Sequence, residues 1–233
     1  MGAVQYPGMN GVDLGRFFDA TPARAWRMDE NAPPHAAPRR APAPAKAAPF
    51  VIEIPAVPPA PFVHAFNRLR GRRETSGYDG LIRSYALKKG LDPRLVKSVI
   101  AAESEFTARA KSPAGALGLM QVMPQTAGSV GVSGKALFNP EANIRAGTAY
   151  LAYLFARAWK RYHLEGVAYA RAPAWLIQRI IAAYNAGPRF LARRRLYAQT
   201  RDYVRKVLLF YRSAVADLKA ADAQGFPYGP FRP

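Results

Sequence analysis

The stretch from Asp92 to Gln121 constrains this chain more than any other. Asp92-Pro93 reads as a helix opening, because aspartate is a favoured N-cap and proline fits the first helical position, where its missing N–H costs nothing. Val96, Val99 and Ile100 then fall at i, i+3 and i+4 of one stripe, and Glu103 takes i+7 of that stripe. A carboxylate is thereby aimed where a core or a cleft belongs. Held partly out of water, its neutral form is favoured and its pKa rises, which suits a general acid near neutral pH. On helix pattern alone, an ordinary surface glutamate is an equal reading. Glu105 lies two residues on and faces another way. Gly115 and Gly118 follow among small residues and let backbone approach a ligand closely, and Gln121 supplies an amide to bond a ligand's polar groups.

Composition narrows the chemistry. With no cysteine in 233 residues, disulfides, thiol nucleophiles and cysteine metal sites are excluded. His35, His64 and His163 are far apart, without metal-ligand spacing or a serine partner. Carboxylate chemistry without a metal or cofactor is the expectation. A formal charge of +19 calls for a polyanionic neighbour, and basic clusters stand at Arg68, Arg70, Arg72 and Arg73 and at Arg189 with Arg193-Arg194-Arg195. Neither carries a nucleic-acid-reading motif, so a solvated basic surface or attraction to an acidic polymer is expected instead, and no specific nucleic acid.

Along the chain, five regions are expected: a poorly ordered head over 1–31, an Ala/Pro-rich linker over 32–61, a basic connector over 62–77, a folded domain over 78–215 and a tail over 216–233. Proline at the density of the linker blocks helix and ladder bonds and favours an extended tether. Val51-Ile52-Glu53-Ile54 is an apolar exception, expected as a mobile kink rather than a docked turn, so a chain beginning near Phe62 should fold alone. From Tyr78 the helical period dominates. Leu81, Ile82 and Tyr85 mark one helix ending near Gly90, and Asn139-Pro140 opens another with Ile144, Gly147, Tyr150, Leu151 and Leu154 on one face. Leu176, Ile177, Ile180, Ile181 and Tyr184 mark a third, stopped by Gly187-Pro188, and Val204, Val207, Leu208 and Tyr211 a last. The expected fold class is therefore all-α. Between 158 and 175, Trp159, Tyr162, Tyr169 and Trp175 suit buried packing better than a ligand-stacking wall. No run of about 18 apolar residues suggests a membrane span, and Met1 to Ala20 lacks the pattern of a secretory signal.

Glu103-Ser104, Ser112-Pro113, Gly115-Ala116, Gly118-Leu119-Met120-Gln121, Pro124 and Thr126-Ala127 together resemble the signature of the soluble lytic transglycosylase domain, a relative of goose-type lysozyme. Asn143-Ile144 with Gly147 and Tyr150-Leu151 is similar to that family's next helix, Ala183-Tyr184-Asn185-Ala186-Gly187 to its third block, and Tyr203-Val204 before Val207 and Tyr211 to its last. Four blocks in order between about Tyr78 and Arg212 make the likeness specific. Only the link over 158–175 departs from the family's usual shorter one.

The resemblance implies a lysozyme-like helical domain acting on the β-1,4 bond between N-acetylmuramic acid and N-acetylglucosamine in peptidoglycan, without cofactor. It implies one residue, Glu103, as acid and then base, giving a 1,6-anhydro product with help from the substrate's acetamido group. Ser104 and Gln121 are then expected to hold substrate or orient Glu103, Tyr184 and Tyr203 to lie near the carboxyl, Met120 and Phe106 to shape the cleft's apolar side, and Gly118, Leu119 and Asn185 to complete the substrate-binding set. A cell-envelope or periplasmic location and a monomer are expected, with the N-terminal region as the contact for an envelope or secretion-apparatus partner. Rival readings are a hydrolytic muramidase of the same fold, a non-catalytic wall-binding or assembly factor, and a nucleic-acid-binding protein suggested by charge alone.

Overall fold

The computed structural model describes residues 51–55, 58–70, 72, 75–165, 167, 169, 172–193 and 195–218. Among them the architecture is all-α. Seven α-helices are present among the described residues: α1 Ala60–Leu69, α2 Asp79–Lys88, α3 Pro93–Ser104, α4 Pro124–Ser129, α5 Pro140–Arg161, α6 Ala174–Ala186 and α7 Ala198–Tyr211. Extended pairing among the described residues is confined to isolated bridges of Leu117 with Lys111 and with Val122. The head, most of the Ala/Pro tract and the tail from 219 on lie outside the described residues.

Expected helix boundaries and their chemistry agree. Asp92 caps α3 by accepting from the Arg94 N–H at 2.8 Å, and Asn139 caps α5 by accepting from Ala142 N–H at 3.0 Å, each ahead of a proline. Gly90 and Gly187, both at positive φ, follow the ends of α2 and α6.

Five helices close a circuit around the core: α2 packs on α3, α3 on α7, α7 on α6, α6 on α5 and α5 back on α2. At its heart, α3 is buried on every side from Leu95 to Ala102, Lys97 and Ser98 included. Both ends of α3 are tied to α7. At the N-terminal end Tyr211 Oη donates to Asp92 Oδ2 at 2.6 Å and Arg94 Nη2 donates to the Tyr211 carbonyl at 2.8 Å. At the other end Lys206 Nζ donates to the Ala102 carbonyl at 2.7 Å, so a cation meets the helix terminus where the backbone dipole favours it.

Two features differ from the sequence expectation. Val51–Ile54 is docked rather than a mobile kink: Ile52 is 2% exposed, its N–H donates to Gln178 Oε1 at 2.7 Å, and Gln178 Nε2 returns a bond to the Ile52 carbonyl at 2.9 Å. One side-chain amide thus satisfies both backbone groups of a segment that has no neighbouring strand. Burying Ile52 contributes about 2 kcal/mol. Arg205 Nε adds a bond to the Glu53 carbonyl. The connector, in turn, begins as the amphipathic helix α1, whose Phe62, Ala65 and Leu69 are buried; the Phe62 ring lies 4.8 Å from that of Phe210 on α7. The aromatic residues of 158–175 pack inward, with Trp159 against Phe155 and Tyr169, and Tyr162 edge-on to Trp175.

Lys97 buries its ammonium inside this frame. Its Nζ lies 2.6 Å from Asp79 Oδ1 and donates to the Asp217 carbonyl at 2.6 Å. Removing one partner strands a charge without water, whereas replacing both with apolar groups does not. Asp79→Ala is expected to cost about 3–5 kcal/mol, and Asp79→Leu with Lys97→Met to fall within about 1 kcal/mol of the native chain, both read from urea unfolding midpoints.

Candidate active site

Glu103 ends the apolar stripe of α3, one residue before the helix does. It faces Tyr203 and Lys206, which sit three apart on α7 and so share one side of that helix. Tyr203 Oη donates to Glu103 Oε1 at 2.7 Å. Glu103 keeps only a partial opening to solvent. Burial pushes its carboxyl up to about 7, with the Tyr203 hydrogen bond and the Lys206 charge pulling the other way. A carboxyl balanced near neutrality is able both to give up and to regain a proton at ordinary pH. Lys206 responds in the opposite sense. Burial lowers its pKa, and the carboxylates of Glu105 and Glu103 oppose that shift.

Beyond α3 the backbone turns abruptly. Glu105 at φ 49° and Phe106 at φ 62° are consecutive non-glycine residues in the left-handed region. The turn inserts the Phe106 ring into the core at 4% exposure, and Arg68 of α1 grips the Glu105 carboxylate with both fork nitrogens, Nε at 3.0 Å and Nη2 at 2.7 Å.

The glycine-rich loop is then held by one buried side chain. Asn143 of α5 accepts from the Met120 N–H at 2.8 Å and donates to the carbonyls of Leu117 and Leu137, each at 2.8 Å. Gly118 passes so close that a Cβ there would lie 2.3 Å from Asn143 Nδ2 and 2.4 Å from the Leu137 oxygen, at φ +73°. Gly147 gives the same clearance to Met120, whose sulfur would stand 2.4 Å from a Cβ. Ser104 Oγ donates to the Leu119 carbonyl at 2.8 Å and Tyr184 Oη to the Met120 carbonyl at 2.9 Å, so α3 and α6 also grip this loop.

The sequence-predicted residues therefore divide by position. Tyr203 touches Glu103 directly. Ser104, Tyr184 and Gln121 direct their polar groups to loop backbone, with Gln121 Nε2 donating to the Gly118 carbonyl at 2.9 Å and to that of Ala110. Phe106, Leu119 and Met120 are core residues beneath the loop, and Gly118 is the point of closest approach. Asn185 is buried near the end of α6 with its Oδ1 lacking a hydrogen-bond partner. Sequence reasoning named none of Lys206, Asn143 and Arg68 as a site residue. For Lys206 the available signal was its i+3 relation to Tyr203; for Asn143 it was a polar residue on the apolar face of α5.

The chain belongs to the transglycosylase SLT domain family, whose match spans residues 80–206. It is 38% identical over 119 residues to membrane-bound lytic murein transglycosylase C of Actinobacillus pleuropneumoniae serotype 5b, covering 47% of this chain and 30% of that protein. To the protein of that name from Shigella sonnei it is 39% identical over 119 residues, covering 47% and 31%. The chain thus spans about a third of the length of these curated relatives. Among solved structures it is similar to an inactive mutant of lytic transglycosylase Slt from Pseudomonas aeruginosa, with TM-score 0.49 and 24% identity over 64% of this chain and 26% of that one. It is also similar to the 70 kDa soluble lytic transglycosylase of Escherichia coli, with TM-score 0.47 and 26% identity over 64% and 25%. No helix among the described residues is long and apolar enough to cross a membrane.

Gly118→Ala is expected to cost about 3 kcal/mol in urea unfolding, combining an overpacked contact with a left-handed backbone that alanine resists. The Glu103 carboxyl gives a second expectation. Its folded pKa of about 7 lies above the ordinary 4.5, so the folded state holds the proton more tightly than the unfolded chain. Its contribution is fully present below pH 4.5 and is lost as pH rises through about 7, at most about 3 kcal/mol in all. Glu103→Gln should flatten this dependence and leave the variant more stable than the native chain at pH 8, as measured by unfolding across pH.

Proposed function

We propose that this chain cleaves the β-1,4 bond between N-acetylmuramic acid and N-acetylglucosamine in peptidoglycan, forming a 1,6-anhydro end without consuming water. The observation that carries this reading is the Glu103 carboxyl, buried enough to stay protonated near neutrality and held by Tyr203 in a family member whose relatives bear the name lytic murein transglycosylase. The proton on Glu103 passes to the glycosidic oxygen as the bond from that oxygen to C1 breaks. The neighbouring acetamido group of the substrate supports the positive charge at C1. Ionised Glu103 then takes the proton of the C6 hydroxyl while the C6 oxygen bonds to C1, and the carboxyl ends as it began.

Glycosidases with two carboxylates need the second one across the sugar ring. Glu105 is the nearest carboxylate in sequence, and its oxygens are occupied by Arg68, which favours the single-carboxyl route. Tyr203 holds the ionised form between the two proton transfers, and Lys206 favours that form by its charge. We assign the catalytic unit to residues 78–215 and its action to the cell envelope, in line with the membrane-bound relatives. Gly118 and Gln121 are assigned the floor of the glycan cleft, with Leu119, Met120, Ser104, Phe106, Tyr184 and Asn185 supporting it from below.

The test is mass spectrometry of muropeptides released from purified sacculi. Anhydro ends are expected, and hydrolysed reducing ends would indicate a muramidase. Glu103→Gln should lower turnover at least about 100-fold, since the amide keeps the shape but carries no exchangeable acid proton. Tyr203→Phe removes a bond that lowers the Glu103 pKa, so the alkaline fall in rate should move to higher pH.

A further inference from the structure

Arg68 lies outside the family-matched residues 80–206, yet its guanidinium reaches the turn that leaves the catalytic helix. The path that delivers it is fixed at several points. Ile52 is pinned by Gln178 of α6, Arg205 of α7 bonds the Glu53 carbonyl, and Phe62 of α1 packs on Phe210 of α7. Residues 51–55 and 58–69 are thereby held against α6 and α7, with Arg68 at Glu105. The two-pronged grip is made at 2.7 and 3.0 Å by a residue of rigid fork geometry. Isolated surface ion pairs contribute little, but this one closes on a backbone in the left-handed region next to the catalytic residue.

We propose that Arg68 and Glu105 form a positioning latch for Glu103, making the helix ahead of the family domain a working part of the active site. The latch rests on the proposed glycan-cleaving role only for its kinetic readout. Arg68 holds the Glu105 carboxylate and offsets its charge, which competes with that of Glu103 for Lys206. The groups bearing on Glu103 are Tyr203 and Lys206 of α7 directly, with Glu105 of its own turn and Arg68 of α1 acting through Lys206. Without Arg68, Glu105 is free to swing onto Lys206, and the ionised form of Glu103 loses the support of the Lys206 charge. Arg68→Ala should thus make Glu103 harder to ionise, while Glu105→Gln in the same chain removes the competing carboxylate and cancels the effect.

The decisive measurement is a carbon-13 titration of the glutamate side-chain carboxyls in the full chain, for native protein, Arg68→Ala and the double variant Arg68→Ala with Glu105→Gln. The expected result is an upward shift of Glu103 by about half a unit or more in Arg68→Ala and its return in the double variant. In parallel, the alkaline limb of turnover on sacculi should shift with the titration, and kcat should fall about 3- to 10-fold in Arg68→Ala with KM little changed. An unmoved Glu103 titration in folded Arg68→Ala overturns the proposal, even where thermal stability falls, because a merely structural pair would lower stability alone. A shift that persists in the double variant also overturns it. Should the native chain leave sacculi intact, the glycan-cleaving reading fails while the titration still decides the latch.

Discussion

The structure depends on keeping one carboxyl largely out of water at the end of α3. Desolvation on that scale is unfavourable for the ionised group, and the surroundings offset it only in part, through the Tyr203 hydroxyl and the Lys206 charge. The balance matters more than either side. A fully compensated glutamate would be an ordinary ionised one, and an uncompensated one would hold its proton too firmly to release it near neutral pH. The helix circuit exists in this sense to hold α3 against α7, because the two groups that act on Glu103 directly, Tyr203 and Lys206, are on α7 while Glu103 itself is on α3. The ties at both ends of α3, Tyr211 to Asp92 and Lys206 to Ala102, fix the two helices in register.

The site draws on elements widely spaced in the chain, and each contributes a different physical service. α3 brings the acid, α7 the hydrogen-bond donor and cation, α6 the Tyr184 hydroxyl beneath the loop, and α5 the Asn143 amide. Small residues are used where backbones or side chains must come close: Gly118 against Asn143 and Leu137, and Gly147 against Met120. Polar groups that sequence alone suggests for ligand contact are in large part spent on holding loop backbone, as Ser104, Gln121 and Tyr184 are.

Much of this was legible in the sequence, for reasons that also mark where reading stops. The helices α2, α3, α5, α6 and α7 announce themselves by apolar period, capping aspartate or asparagine, and terminal glycine, all local signals. Glu103 was legible because its stripe and the following loop are contiguous. α1 was missed since its apolar face is short and sits beside a run of prolines that speaks for extended chain. Ile52 was expected to be mobile because its stabilisation comes from Gln178, 126 positions away, through a side-chain amide that mimics a neighbouring strand. Lys206 and Arg68 bond to residues 104 and 37 positions distant, and nothing in their own neighbourhoods marks those partners. Asn143 stands on an apolar face where a buried amide has meaning only once its three backbone partners are known.

The Asn143 anchor has a consequence for how the molecule comes apart. Loops ordinarily open before the helices they join, since their backbone groups are bonded to water or to one another. Here the Met120 amide and the carbonyls of Leu117 and Leu137 all terminate on a side chain in the first turn of α5, which is buried among the core helices. Opening the loop beside Glu103 therefore requires breaking three bonds to that turn. The Met120 amide is thereby expected to exchange with the buried first turn of α5 rather than with the loop's own fraying.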